Sequence, residues 1–285
     1  MTISRTVCLQ DGTQLPALGQ GTWGIGDDPT KRVSEIETLR RGVELGMSVI
    51  DSAEMYGDGN AESLVAEAIH DCREQVFLIS KVLPHHASGD RLLQSVEQSL
   101  QRLNTDYLDL YLLHWRGCTP LQKTIEGLEQ LRQGGMIRRW GVSNLDVDDM
   151  NDLLSCQSAK NCQVNQILYH LASRGSELVL QPYLNQHQIL MMSYSPLAQA
   201  GRLQNQLLAS DVLRQIADRH DADPFQIMLA WCIRSGQVLA IPKASSVAHV
   251  DRNAKAVRIE LGQDELSLLD QVFPAPEYKV PLDII

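Results

Sequence analysis

The chain has 285 residues, an apolar share of 44% and a formal charge of −10, from 25 basic against 35 acidic side chains. The basic residues are scattered, which argues against a nucleic-acid or membrane-surface partner but not against a small anionic ligand held by one local cation. No apolar run nears the roughly 20 residues that span a bilayer, and Met1-Thr2-Ile3-Ser4-Arg5 lacks the basic-then-apolar order of a secretory leader. Six widely spaced cysteines show neither metal-ligand nor redox spacing and are expected to be reduced thiols of a cytoplasmic protein.

In chain order, the first expected element is a hairpin. Val7–Gln10 and Thr13–Leu15 flank Asp11-Gly12, a dipeptide suited to a type I′ turn. Eight short apolar runs follow: Ala17–Gly21, Ser48–Asp51, Val76–Lys81, Leu108–His114, Arg138–Ser143, Gln163–Gln166, Leu190–Ser193 and Val238–Ile241. Several, such as Leu108–His114, are almost continuously apolar, the pattern of strands covered on both faces. Helical periodicity fills the gaps. Val33, Ile36, Leu39, Val43 and Leu45 make one apolar face ending at Gly46; Leu64, Val65, Ala68 and Ile69 make a second, and Leu92, Val96, Leu100 and Leu103 a third. Asp223-Pro224 reads as an N-cap followed by proline at the first helical position. Eight strand–helix alternations predict a single-domain (β/α)8 TIM barrel over residues 1–285, with the hairpin closing its bottom. The glycines of Gly19-Gln20-Gly21-Thr22-Trp23-Gly24 lack the spacing of a Rossmann fingerprint.

Reactive groups of such barrels sit at the C-terminal ends of the strands. Those ends carry Asp51, Lys81 and His114, with Tyr56 five residues past Asp51. A glycosidase would need paired carboxylates there, and Asp51 and Glu54 lie too close along one loop to frame a sugar. No His/Cys/Asp cluster has metal spacing, so no metal is expected.

The chain resembles the aldo-keto reductases over essentially its whole length. The matching stretches are Asp51-Ser52-Ala53-Glu54-Met55-Tyr56-Gly57, Phe77–Val82, Asp109–Trp115, Gly141-Val142-Ser143-Asn144 and Ile241-Pro242-Lys243. It is especially similar to bacterial members that reduce methylglyoxal and related short carbonyls. The resemblance implies NADPH-dependent reduction of small aldehydes and ketones, with Tyr56 as general acid, Lys81 beside it, Asp51 pairing with Lys81, and His114 orienting the substrate oxygen. A nearby ammonium favours a phenolate, so Lys81 is expected to lower the Tyr56 pKa from its usual value of about 10. Trp23 and Trp115, beside Met55 and His85, are expected to wall a small pocket with Tyr56 and His114.

By the same resemblance, Ser143, Asn144 and Gln166 hold the nicotinamide carboxamide and Tyr194 stacks on its ring. Ser195 and Leu197 line the pyrophosphate, while Gly21, Thr22, Trp23 and Asp51 border the nicotinamide. Lys243, with Ser245 and Ser246, meets the 2′-phosphate, and Arg252 and Asn253 meet adenine. His249 departs from the pattern, since an arginine is usual there; NADPH preference should be weaker and NADH use is conceivable. The family offers a monomer as the expected state. It also leaves a second reading, a cofactor-binding regulatory subunit with little or no turnover.

Overall fold

The structure, a computed structural model, describes residues 5–285, so the reading of Met1–Ser4 lies outside the described residues. The hairpin forms between β1 (Thr6–Cys8) and β2 (Gln14–Pro16), with Val7 opposite Leu15. Its turn is not type I′. Only Gly12 has positive φ, at 88°, and its N–H donates to Leu9 O while Leu9 N–H donates to Thr13 O, both at 2.9 Å. The loop is one residue too long for the two-residue form, so a type I turn is closed by a left-handed glycine. Asp11 keeps ordinary backbone and accepts from Thr13 N–H at 3.0 Å.

Asp11 Oδ2 also accepts from Arg139 Nε at 2.6 Å, and Gln10 meets Gln163 at 3.3 Å. Arg139 and Gln163 stand at strand beginnings, and Val7, Leu9 and Leu15 are buried. The hairpin therefore covers the end of the barrel opposite the strand C-termini.

The eight remaining strands are β3 (Gln20–Gly21), β4 (Val49–Asp51), β5 (Phe77–Val82), β6 (Leu110–Leu113), β7 (Trp140–Ser143), β8 (Cys162–Leu168), β9 (Leu190–Tyr194) and β10 (Val238–Ala240). Each pairs in parallel with the next. The ring closes through a parallel bridge between Leu18 and Ala240, with Gly19 N–H to Ala240 O at 2.8 Å and Ala240 N–H to Ala17 O at 2.9 Å. The first expected run is thus a short strand plus a seam. Gly21 is required at that seam, because a Cβ there would stand 2.8 Å from Ile241 O.

Every residue of β6, β7 and β8 is buried, as strands between a filled barrel and a helical coat must be. The helix Pro224–Cys232 opens with a capping box between Asp223 and Gln226 and is buried from Gln226 to Cys232. The first helix, Arg32–Glu44, corrects the expected face. Val33 is 70% exposed, while Glu35, Thr38, Leu39 and Gly42 are buried. Two polar residues can face inward because Glu35 accepts from Gly26 N–H at 3.0 Å and Thr38 donates to Ser34 O at 2.7 Å. Among the described residues no helix is long and apolar enough to cross a membrane.

Candidate active site

Asp51 is the last residue of β4, Lys81 the second-last of β5, and His114 directly follows β6. Strand pleating aims Asp51 and Lys81 into the barrel mouth, where both are buried, at 2% and 0% exposure. An ammonium removed from water must spend all three donors on partners. Lys81 Nζ donates to Asp51 Oδ2 at 2.6 Å, to Ser52 O at 2.8 Å and to the Tyr56 hydroxyl at 3.1 Å. The Tyr56 ring meets the His114 ring edge-on, centroids 5.8 Å apart, and His114 packs on Trp115 at 4.9 Å. The Ser52 carbonyl was beyond sequence reasoning, because a backbone acceptor leaves no trace in residue type.

Burial opposes the charge on Lys81, but Asp51 and Tyr56 outweigh it and its pKa is raised. For Tyr56 the expected direction is overturned. Burial raises its pKa, Lys81 pulls it down and Asp51 pushes it up, so the net shift is upward. Desolvation is the largest of the three, and the pull of Lys81, offset in part by Asp51, does not overcome it. His114 goes the other way: burial, then the Lys81 charge, lowers its pKa to about 3, and the imidazole is neutral at physiological pH. Its Nδ1 is buried without a hydrogen-bond partner among the described residues.

A second layer joins this cluster. Gln166 Nε2 donates to Asp51 Oδ1 at 2.7 Å and Thr22 Oγ1 to Asp51 O at 2.9 Å. Ser143 donates to Gln166 O at 2.9 Å. Asn144, at φ 59°, donates to His114 O and to Ser143 Oγ, both at 3.2 Å, and accepts from the Tyr194 hydroxyl at 2.9 Å. Gly21 pairs with Asp51 on the neighbouring strand and borders the same mouth, and Trp23, two residues further on, is 54% exposed. Trp115 is 37% and Met55 40% exposed. Ser195, with φ 47°, and Leu197 are half-buried beyond Tyr194.

The third group lies after β10, at the start of the helix Val247–Lys255. Ser246 caps that helix, accepting from His249 N–H at 3.3 Å. Lys243, Ser245 and His249 are exposed, and His249 Nδ1 lies 3.1 Å from Ser245 Oγ. Arg252 reaches away to Asp223, 3.2 Å between Nη1 and Oδ2, and Asn253 is buried. Among the described residues no group of three or more His, Cys, Asp or Glu is placed to hold a metal.

Comparison with known proteins fits this geometry. The profile of the aldo/keto reductase family matches residues 17–273. The chain is 51% identical over 271 residues to methylglyoxal reductase YeaE of Escherichia coli (strain K12), covering 95% of each protein. It is 32% identical over 271 residues to glyoxal reductase of Bacillus subtilis (strain 168), covering 94% of this chain and 93% of that one. Among solved structures, an aldo/keto reductase from Klebsiella pneumoniae in complex with NADP and acetate superposes with a TM-score of 0.96 at 48% identity, covering 99% of both chains. A second from the same organism, in complex with NADPH, gives 0.97 at 48% identity with the same coverage.

Proposed function

The chain belongs to the aldo/keto reductase family, and from that premise we propose that it reduces methylglyoxal and other short aldehydes and ketones to alcohols with NADPH. The observation that carries this reading is the Tyr56 hydroxyl held 3.1 Å from a fully buried Lys81 ammonium at the strand ends. Such a phenol can protonate an oxygen that is gaining negative charge.

The residues at the mouth suit a nicotinamide dinucleotide. Gln166 Nε2 is committed to Asp51, but its Oε1 takes no hydrogen bond among the described residues and can accept from a carboxamide NH2. Asn144 and Tyr194 hold each other in place. Lys243 and the capped start of Val247–Lys255 offer positive potential to a phosphate. Ser195 and Leu197 would flank the pyrophosphate, and Arg252 and Asn253 the adenine end. NADPH, when bound, supplies the hydride to the carbonyl carbon.

Tyr56 gives its proton to the carbonyl oxygen, and Lys81 steadies the phenolate left behind until solvent restores the proton. The raised pKa keeps Tyr56 protonated at neutral pH, the state that reduction requires. Asp51 and the Ser52 carbonyl fix Lys81. His114, neutral, donates one N–H to the substrate oxygen and orients it without competing as an acid. Trp23 and Trp115 wall the opening, which suits small or flat carbonyls.

The names of the relatives, methylglyoxal and glyoxal reductases, support this substrate class. They give no support to a regulatory subunit with little turnover. We read the protein as a monomeric cytoplasmic enzyme, which gel filtration and fractionation would test. The test of function is NADPH oxidation with methylglyoxal, glyoxal and a panel of short aldehydes. Turnover with methylglyoxal is expected; none with any carbonyl would overturn the reading.

A further inference from the structure

Glu54 stands two residues before Tyr56 and is buried, its side chain only 8% exposed. A carboxylate removed from water needs several donors. Here Oε1 accepts from Leu83 N–H at 2.7 Å and from His86 Nδ1 at 3.0 Å, and Oε2 accepts from the Ser95 hydroxyl. These partners sit on the residue after β5, on the turn Pro84–His86 and on the helix Gly89–Leu103. The backbone N–H of Glu54 donates to Lys81 O at 3.3 Å. The loop bearing the phenol and the strand bearing the ammonium are thereby tied together at one residue. The neighbours of Glu54 add little, since Ala53 has no polar side chain and Met55 is 40% exposed.

We propose that Glu54 is a positioning residue for carbonyl reduction: its carboxylate, gripped by Leu83, His86 and Ser95, fixes the loop that keeps the Tyr56 hydroxyl on Lys81 and on the substrate oxygen. The proposal rests on the reductase reading and deepens it. The effect works through place, because the carboxylate touches neither Tyr56 nor Lys81 Nζ. Glutamine can therefore do most of the same work. Its Oε1 keeps the Leu83 N–H, and the Ser95 hydroxyl can turn to accept from Nε2.

The test is steady-state reduction of methylglyoxal, with kcat expressed per NADPH-binding site titrated by fluorescence, for wild type, Glu54→Ala, Glu54→Gln and Ser95→Ala. Displacing a reacting group by about 1 Å can cost a hundredfold, so Glu54→Ala should lower kcat by about tenfold or more. NADPH affinity should stay within about twofold, a split that general loss of folded protein would not produce. Glu54→Gln should restore most of the rate. Wild-type kcat per site in Glu54→Ala would overturn the proposal. So would a Glu54→Gln variant as slow as Glu54→Ala, since charge would then be the agent. If Glu54→Ala does not fold, Ser95→Ala decides: a loss of about threefold in kcat at unchanged NADPH affinity supports the role, and an unchanged kcat refutes it. Absence of turnover in the wild type would strike the reductase reading instead, so the two failures are distinct.

Discussion

Replacing Lys81 by methionine separates the two tasks of the buried ammonium. Methionine fills similar space, but Asp51, 2% exposed, is left a buried carboxylate with the Gln166 Nε2 contact at 2.7 Å as its remaining side-chain donor. Breaking a buried pair from one side costs about 3–5 kcal/mol of stability. The catalytic loss is worked from the 3.1 Å between Nζ and the Tyr56 oxygen: two unit charges at that distance attract by about 5 kcal/mol at an effective dielectric of about 20. That attraction is felt fully only as the phenolate forms, so its loss should lower kcat by about 10³–10⁴-fold. The assay is NADPH oxidation with saturating methylglyoxal, beside thermal melts and NADPH titration. The double variant Lys81→Met/Asp51→Asn removes the orphaned charge and should recover most of the stability without recovering the rate. A Lys81→Met enzyme within about tenfold of wild-type kcat would refute the electrostatic reasoning.

His114 supplies a pH prediction. Its folded pKa is depressed from 6.5 to about 3, so its neutral form contributes stability above the unfolded value that is lost as pH falls toward the folded one. Between pH 7 and about pH 5 the loss should be about 2 kcal/mol, and a His114→Gln variant, followed by denaturant melts, should show a decline shallower by that amount. Lys243→Ala should weaken NADPH by roughly ten- to a hundredfold, the scale of one charge-assisted phosphate contact, and leave NADH nearly unchanged. His249→Arg should tighten NADPH selectively, with a gain that shrinks as salt rises; fluorescence titration of both cofactors checks the pair, and equal losses for the two cofactors in Lys243→Ala would withdraw the 2′-phosphate assignment.

The barrel strands were legible as short, mostly apolar runs, of which Leu110–Leu113 is the clearest, although the first of them, Ala17–Gly21, is a strand only at Gln20–Gly21 and otherwise part of the seam. The strand ends then pointed to Asp51, Lys81 and His114. Periodicity failed where polar groups are buried by local bonds: counting apolar residues put Val33 inside, whereas Glu35 and Thr38 occupy that place. The Asp11-Gly12 dipeptide suits more than one turn, and loop length, not composition, selected the form. Sequence placed a cation near Tyr56 but could not weigh it against burial and against Asp51, which reverse the direction of the shift. Nor could it pair Arg252 with Asp223, which are 29 positions apart. The grip of Ser95 and His86 on Glu54 likewise joins elements that meet only in the folded barrel.

The central claim is that Tyr56 delivers the proton, and single-turnover reduction of methylglyoxal by the NADPH-loaded Tyr56→Phe variant tests it most directly. Phenylalanine keeps the ring against His114, which packs 5.8 Å away, and removes only the hydroxyl. A positioned acid contributes about 10²–10⁴-fold, so the rate should fall by at least about a hundredfold while the NADPH dissociation constant stays near that of the wild type. A Tyr56→Phe enzyme that transfers hydride at the wild-type rate would contradict the account.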